Sequence, residues 1–385
     1  MRAFFASFVK PFAAADGPPP QSLWAFWRWA MKGAWPAILF GGFMGSLVGV
    51  LESLGALFIG WVIDRAVEAS DPAAYFEANW FLIAATVVFF VILRPAAMGL
   101  SAAVNSVSLG PNLFPLTIMR LARHTLGHSI RYFDDDFAGR LAQKHVQAAN
   151  SVTEVMLEGT NSIAFCVATA IGAALVLGAV DWRLALILFG WLVAYGFLIR
   201  WYLPRIRRLS RARADARSNV TGQIVDTLSN MATVKLFAHV GREERAAENS
   251  VADFRERALD FGLMSAGFRL VLMALAGILP AVLIGAALLF WQQGTATAGD
   301  IAVAGVLSTR IAQMSGWFSF TMMNIFAHIG EAEDGMRTLA PAHDLVDGAG
   351  AKPIERASGA ISFENITYRY VQDRYPIFVK VAIIL

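Results

Sequence analysis

A single cysteine among 385 residues leaves nothing to pair with inside the chain, so no internal disulfide supports this fold. That cysteine, Cys166, sits in an apolar run, where a small buried side chain is its ordinary role. Charge is scarce as well: 16% of residues are charged, against about a quarter in soluble domains. Hydrophobic residues reach 57%, which excludes an ordinary water-soluble globule and points to the bilayer as solvent. No lysine follows a glycine anywhere, which excludes a glycine-rich phosphate-binding loop ending in lysine. No charge at all occurs from Gly159 to Val180. The net charge of +3 is small, so the basic residues matter through where they lie.

What is present reads as membrane spans. A bilayer core needs about 20 apolar residues. Gly33–Ile63, charged only at Glu52, satisfies this with some tilt. The second span begins near Trp80, carries Arg94 and Pro95, and continues to about Met119. Gly159–Val180, Leu184–Ile199, Leu270–Trp291 and Ile301 to about Gly330 complete a set of six. Ahead of them, "SLWAFWRWAMKGAW" places Trp24, Trp27 and Met31 at helical spacing, as in a helix lying in the interface with its indoles at headgroup depth. The N-terminal apolar stretch Ala3–Val9 is broken by Lys10 and Pro11, too short for a cleaved signal.

The connections orient the spans. Segment 64–79 has one basic residue, Arg65, among four acids, and 292–300 has none. Arg120, Arg123, Arg131, Arg140 and Lys144 crowd the second connection, and seven arginines from Arg200 to Arg217 crowd the fourth. Lysine and arginine collect on the cytoplasmic side, so both termini are expected there. The arginine run "RWYLPRIRRLSRARADAR" starts where a span leaves the membrane, which favours a headgroup anchor over nucleic-acid binding. These cytoplasmic connections keep a helical pattern. Arg183–Met231 as one helix would extend about 70 Å at 1.5 Å per residue, well past the 40–45 Å of a bilayer with headgroups.

Two reversals of these rods, "RYFDDDFAGR" and "DTLSNMATVKLFAH", mix apolar and polar residues. A short amphipathic helix can seat its apolar side chains in a partner's groove. An ordinary exposed loop is the alternative, and composition leaves both open. Inside the spans, Glu52, Arg94 and Arg310 face a cavity or one another, because lone intramembrane charges cost about 2.5–3.5 kcal/mol each. Trp317 and Met322 on the sixth span line a pocket for apolar cargo or pack against lipid and neighbouring helices. After Gly330 the text turns soluble, with turn signals at Gly348, Gly350 and Pro353 and a strand-like "AISFENITYRY".

Six spans, two long helical excursions and a soluble start resemble the exporter class of ATP-binding cassette (ABC) transporters. "YFDDDFAGRL" is similar to the family's first coupling-helix region, and "NMATVKLFAHVGREE" to its second. "GAISFENITYRY" is similar to the opening strands of its nucleotide-binding domain. The resemblance implies an all-α polytopic membrane protein: six long transmembrane helices with cytoplasmic extensions, followed by a short β-rich stub. It implies an N-terminus and elbow helix over 1–35, a six-helix transmembrane domain over 36–340, and a linker with the start of a nucleotide-binding domain over 341–385. It places Tyr132, Phe133, Asp134, Asp135, Phe137 and Gly139 in the first coupling helix, and Asn230, Val234, Lys235 and Phe237 in the second. Tyr370 matches the aromatic that stacks on adenine. It further implies ATP and magnesium as cofactors of the intact protein, with none expected to bind this chain tightly. Homodimeric or heterodimeric pairing with a second half-transporter, residence in the bacterial inner membrane and no nucleic-acid partner also follow. Where the family writes arginine and then aspartate after the first Gly-x-Leu, this chain has Lys144 and Ala148, and "VQDRYPIFVKVAIIL" departs from its wording. Two other functions compete: a permease subunit borrowing a separately encoded ATPase, and an ion-coupled secondary transporter working through Glu52.

Overall fold

A computed structural model describes residues 5, 7–69, 71, 74–134, 138–237, 240–346, 348, 350–351, 362–368 and 378–384. Two units divide the chain, Met1–Ala342 and His343–Leu385. The first is helical. Its helices of five or more residues are α1 (Leu23–Ala30), α2 (Trp35–Glu68), α3 (Trp80–Thr125), α4 (Ile130–Asp134), α5 (Gly139–Val180), α6 (Trp182–Ser229), α7 (Met231–Leu236), α8 (Val240–Gln292) and α9 (Ala298–Leu339), with a single turn at Tyr75–Ala78 ahead of α3. In the second unit, β1 (Ser362–Tyr368) pairs antiparallel with β2 (Phe378–Ile384). Tyr370 lies outside the described residues.

Five of these helices, α2, α3, α5, α6 and α8, are long and apolar enough to cross a membrane. The sequence reading expects six. α9 has the length, at 42 residues, but it falls short in apolarity because Ser308, Thr309, Arg310, Gln313, Ser315, Ser319 and Asn324 interrupt it. The expected excess length is present. α6 runs 48 residues without a break, about 72 Å, and α8 runs 53, about 80 Å. Pro204 and Pro280 lie inside them without ending either helix.

Small residues set the packing of α2. Gly41, Gly45 and Gly49 recur every four residues, so they share one face. A Cβ at Gly45 would lie 2.3 Å from the Thr160 carbonyl oxygen, and one at Gly49 would lie 2.5 Å from that of Phe165. The backbones of α2 and α5 therefore meet directly, as small-xxx-small faces do in lipid. α5 carries a π-helical turn at Gly159–Ile163, and α3 carries one at Val104–Leu109. The two turns are joined where Thr160 Oγ1 donates to Asn105 Oδ1 at 3.0 Å.

The far end of α2 repeats this logic. A Cβ at Gly299 would sit 2.3 Å from the Gly60 carbonyl. There Asp64 accepts hydrogen bonds from Gly299 N at 2.6 Å and Thr297 Oγ1 at 2.8 Å. Thr297 and Asp300 form a reciprocal capping box, and Asp64 adds an acceptor for the Gly299 N–H in α9's first turn.

Among the described residues two large apolar cores result, beside a small cluster of Val48, Leu51, Phe89 and Ala97. One gathers α1, the start of α2 and the inner parts of α3, α5 and α9 around Phe26, Met31, Leu113, Leu116 and Leu339. The other joins α5, α6, α8 and α9 around Leu177, Leu184, Leu188, Leu279 and Leu283. Trp27 belongs to the first core at 6% exposure. This corrects the expectation for α1: Trp24 is exposed, but Trp27 and Met31 face protein rather than headgroups. Between Arg211 and Asp260, α6 and α8 carry one buried described residue, Ala216.

Candidate functional site

Both expected reversals are short helices. At α4, the Tyr132 ring stacks on His128 with centroids 4.1 Å apart, and its hydroxyl donates to the Thr338 carbonyl of α9 at 3.1 Å. Tyr132 thus faces the protein, whereas Phe133 is exposed. Gly139 opens α5, and Asp134 ends α4. Asp135 and Phe137 lie outside the described residues. Behind this reversal, Lys144 pairs with Asp334 of α9. Ala148 is buried against Gly335, where an added Cβ would lie 2.6 Å from that of Ala148. The two departures from the family's wording therefore fit here: one supplies an ion pair and the other a close helix crossing.

At α7, Asn230 closes α6 by donating from Nδ2 to the Asp226 carbonyl and carboxylate, both at 3.0 Å. Val234 is half-buried, and Lys235, Leu236 and Phe237 are exposed. A cleft of about 420 Å³ opens beside them, lined by Ile224, Leu228, Met231, Val234, Lys235 and Glu243. Glu243 was not singled out from sequence. Its carboxylate accepts from Thr227 Oγ1 at 3.2 Å and Gln223 Nε2 at 3.4 Å, clasping α6 to α8 beside the reversal.

The charges expected inside the spans come together. Glu52 of α2 receives Arg94 of α3 at 2.7 Å on Oε2 and Arg310 of α9 at 2.8 Å on Oε1. The Glu52 side chain is 11% exposed. One carboxylate thus faces two guanidiniums, which ties three helices and leaves one positive charge over. Arg310 opens onto a cavity of about 440 Å³ with Glu52, Ile284, Gly305, Thr309 and Gln313. Trp317, two turns along α9, is 46% exposed. Met322 is half-buried and about 120° round the helix from Arg310, so it does not share that face.

Further fastenings escaped the sequence reading. Arg120, 3% exposed, donates to the carbonyls of Ala13 (3.2 Å), Trp29 (2.9 Å), Ala30 (2.9 Å) and Lys32 (2.8 Å). It satisfies carbonyls at the end of α1 that no helical N–H reaches. Nearby, Asp16 pairs with Lys32, whose hydrogen bond and charge hold its carboxyl below the ordinary value. In the spans, Tyr195 donates to the Ser315 carbonyl at 2.9 Å, and Trp191 Nε1 donates to the Leu275 carbonyl at 2.7 Å. A buried tyrosine or tryptophan needs such a partner, so both rings hold α6 in place against α9 and α8.

Residues 38–315 match the family described as the ABC transporter transmembrane region. An uncharacterized ABC transporter ATP-binding protein of Haemophilus influenzae is 28% identical over 380 residues, covering 96% of this chain and 60% of the relative. A Bacillus subtilis protein, provisionally named a multidrug export ATP-binding/permease protein, is 19% identical over 85% of this chain and 56% of its own length. The chain thus spans about three fifths of the length of these relatives. A bacterial Atm1-family ABC exporter solved with ATP bound shares the fold at a TM-score of 0.67 and 16% identity, over 90% of this chain and 61% of that one.

Proposed function

Because the chain belongs to the ABC transporter transmembrane-region family, we propose that it is the membrane-spanning part of an ATP-driven exporter. α9 is assigned as the sixth crossing, and both termini, α4 and α7 as cytoplasmic, in a bacterial inner membrane. Residues 1–35 are assigned as the N-terminus and elbow, 36–340 as the transmembrane domain, and 341–385 as a linker and the opening of an ATP-binding domain with Tyr370 against adenine. ATP and magnesium belong to the intact protein, which pairs with a second half-transporter of the same or a different kind. Motion reaches the spans through α4 and α7, docked on the ATP-binding domains by Phe133, Asp134, Asp135 and Phe137 at one tip and Val234, Lys235 and Phe237 at the other. Tyr132 anchors the first tip to α9 from behind.

One observation carries this assignment: α6 and α8 extend far beyond a bilayer's thickness and reverse at an exposed amphipathic helix. An ion-coupled transporter working through Glu52 has no use for such rods. The sign of the loops supports the orientation, with arginine at α6's exit and none between 292 and 300.

Orientation is tested by single cysteines at Phe133, Lys235 and Gln293 in a Cys166→Ser background. A membrane-impermeant maleimide added to intact cells is expected to label Gln293→Cys alone, and to label the other two only in inverted vesicles. Labelling of Lys235→Cys from outside would end the proposal. The 385-residue chain by itself, in lipid discs, is expected to turn over no ATP, since it has no Gly-Lys step to wrap a phosphate. Steady phosphate release by a clean preparation would contradict that. A soluble ATPase that co-purifies with it in stoichiometric amount would favour the borrowed-ATPase alternative.

A further inference from the structure

The charge left over at Glu52 is part of a longer pattern. On α9, Arg310, Gln313, Trp317, Phe320, Asn324, Ala327 and Glu331 follow steps of three and four, so they share one face. Arg310 sits at one end of it with Arg94 and Glu52. Midway, Arg269 of α8 lies 4.9 Å from the Phe320 ring. At the other end a cavity of about 600 Å³ is lined by Arg207, Arg211, Arg213, Phe261, Met323 and Phe326, among others. There Arg207 lies over the Phe326 ring at 4.1 Å and Arg213 over Phe261 at 4.0 Å.

The carboxylates bordering that cavity are already engaged. Asp334 pairs with Lys144, and Glu331 accepts from Ser151 at 2.6 Å and lies 3.2 Å from His328. Among the described residues, Arg207 Nη2 and Arg94 Nε are buried without a hydrogen-bond partner. A guanidinium laid on an aromatic face keeps its N–H edge for an acceptor, and a planar fork suits a carboxylate or phosphate. Guanidiniums thus recur along a face that carries Trp317 and Phe320, with Met323 and Phe326 bordering the cavity at its end.

We propose that this face takes an anionic amphiphile, with one carboxylate or phosphate head on an apolar body. The head is received first by Arg207 and Arg213 and then by Arg94 and Arg310, while the body lies along Trp317 and Phe320. The inference rests on the exporter reading and adds the charge of the cargo. Glu52 holds the two inner arginines in place and compensates only one of them, so a ligand is bound without being trapped.

The test is a binding titration of the chain in discs of zwitterionic lipid. The probes are 11-(dansylamino)undecanoic acid and its methyl ester, read by tryptophan-to-dansyl energy transfer. Trp317→Phe identifies the signal that arises on this face. The acid is expected to bind at least tenfold tighter than the ester. Arg310→Gln should weaken the acid fivefold or more and leave the ester unchanged, with Arg310→Lys between. Glu52→Gln should tighten the acid about threefold. The opposite signs separate charge recognition from misfolding, and unchanged ester binding checks the fold of each variant. Discs containing phosphatidylglycerol that compete with the acid would identify membrane lipid as the source of the head. Absence of competition would assign it to a free amphiphile. Equal binding of acid and ester with a Trp317-dependent signal would overturn the anionic class and leave the exporter reading standing. No transfer from Trp317 to either probe would remove this face from the route altogether.

Discussion

Gly45→Leu is expected to prevent stable assembly of the helical unit. The Cβ alone would lie 2.3 Å from the Thr160 carbonyl oxygen, a backbone atom that no rotamer change can move aside. Overpacking a dense core costs about 1–3 kcal/mol when side chains can adjust. Here α2 and α5 must separate, so the expected loss lies at or above the top of that range. Separation also breaks the Thr160–Asn105 hydrogen bond and the donation from Ser53 Oγ to the Thr169 carbonyl at 3.2 Å. The measurement is the midpoint of thermal aggregation in mild detergent, together with the monodisperse fraction after extraction. Gly42→Leu is the control: its Cβ would meet nothing within 4 Å, so it should leave both values unchanged. If the two variants behave alike, the direct backbone contact between α2 and α5 is wrong.

Removing Arg120 should release the N-terminal segment while sparing the rest of the bundle. Four carbonyls lose a donor together, three of them at or just past the end of α1, and only that of Trp29 keeps a backbone donor there, the Lys32 N–H at 3.3 Å. A buried acceptor left unpaired costs about 1–3 kcal/mol, and water can re-solvate some of the four, so Arg120→Ala should cost on the order of 3 kcal/mol locally. Hydrogen exchange would read this as lost protection over residues 12–34, with α6 and α8 unchanged. Arg120→Lys should fall between, because a compact ammonium has three donors and no planar fork. Arg123 still donates to the Phe12 carbonyl at 3.0 Å, so the segment should loosen rather than detach. Unchanged exchange in Arg120→Ala would show that α1 is held by Phe26, Trp27 and Met31 alone.

The spans and rods were legible because their signals are local. Apolar length and unbroken helical pattern are read along one dimension, and α6 and α8 follow them. The intramembrane charges were legible for a similar reason. Lone charges in hydrocarbon are so unfavourable that Glu52, Arg94 and Arg310 had to find one another or a cavity. The arithmetic of one against two was not legible, since it depends on three helices converging. Gly41, Gly45 and Gly49 did carry a sequence signal, small residues at intervals of four, which apolar content masks when only span length is read. Arg120 carried none. In sequence it is one of several basic residues at the end of a span, and only the return of α1 over it makes it a clasp. α9, which the sequence reading counts as a span, falls short in apolarity, and several of its polar residues serve other helices: Arg310 pairs with Glu52, and Ser315 and Ser319 meet Tyr195.

The hairpin formed by α6 and α8 between Arg211 and Asp260 has one buried described residue. Two slender struts laid side by side resist bending in the plane that contains both, and yield readily across it. Such a beam has a hard axis and a soft axis, so a push at α7 is passed on or absorbed according to its direction. The hairpin itself therefore filters, by direction, any force applied at α7.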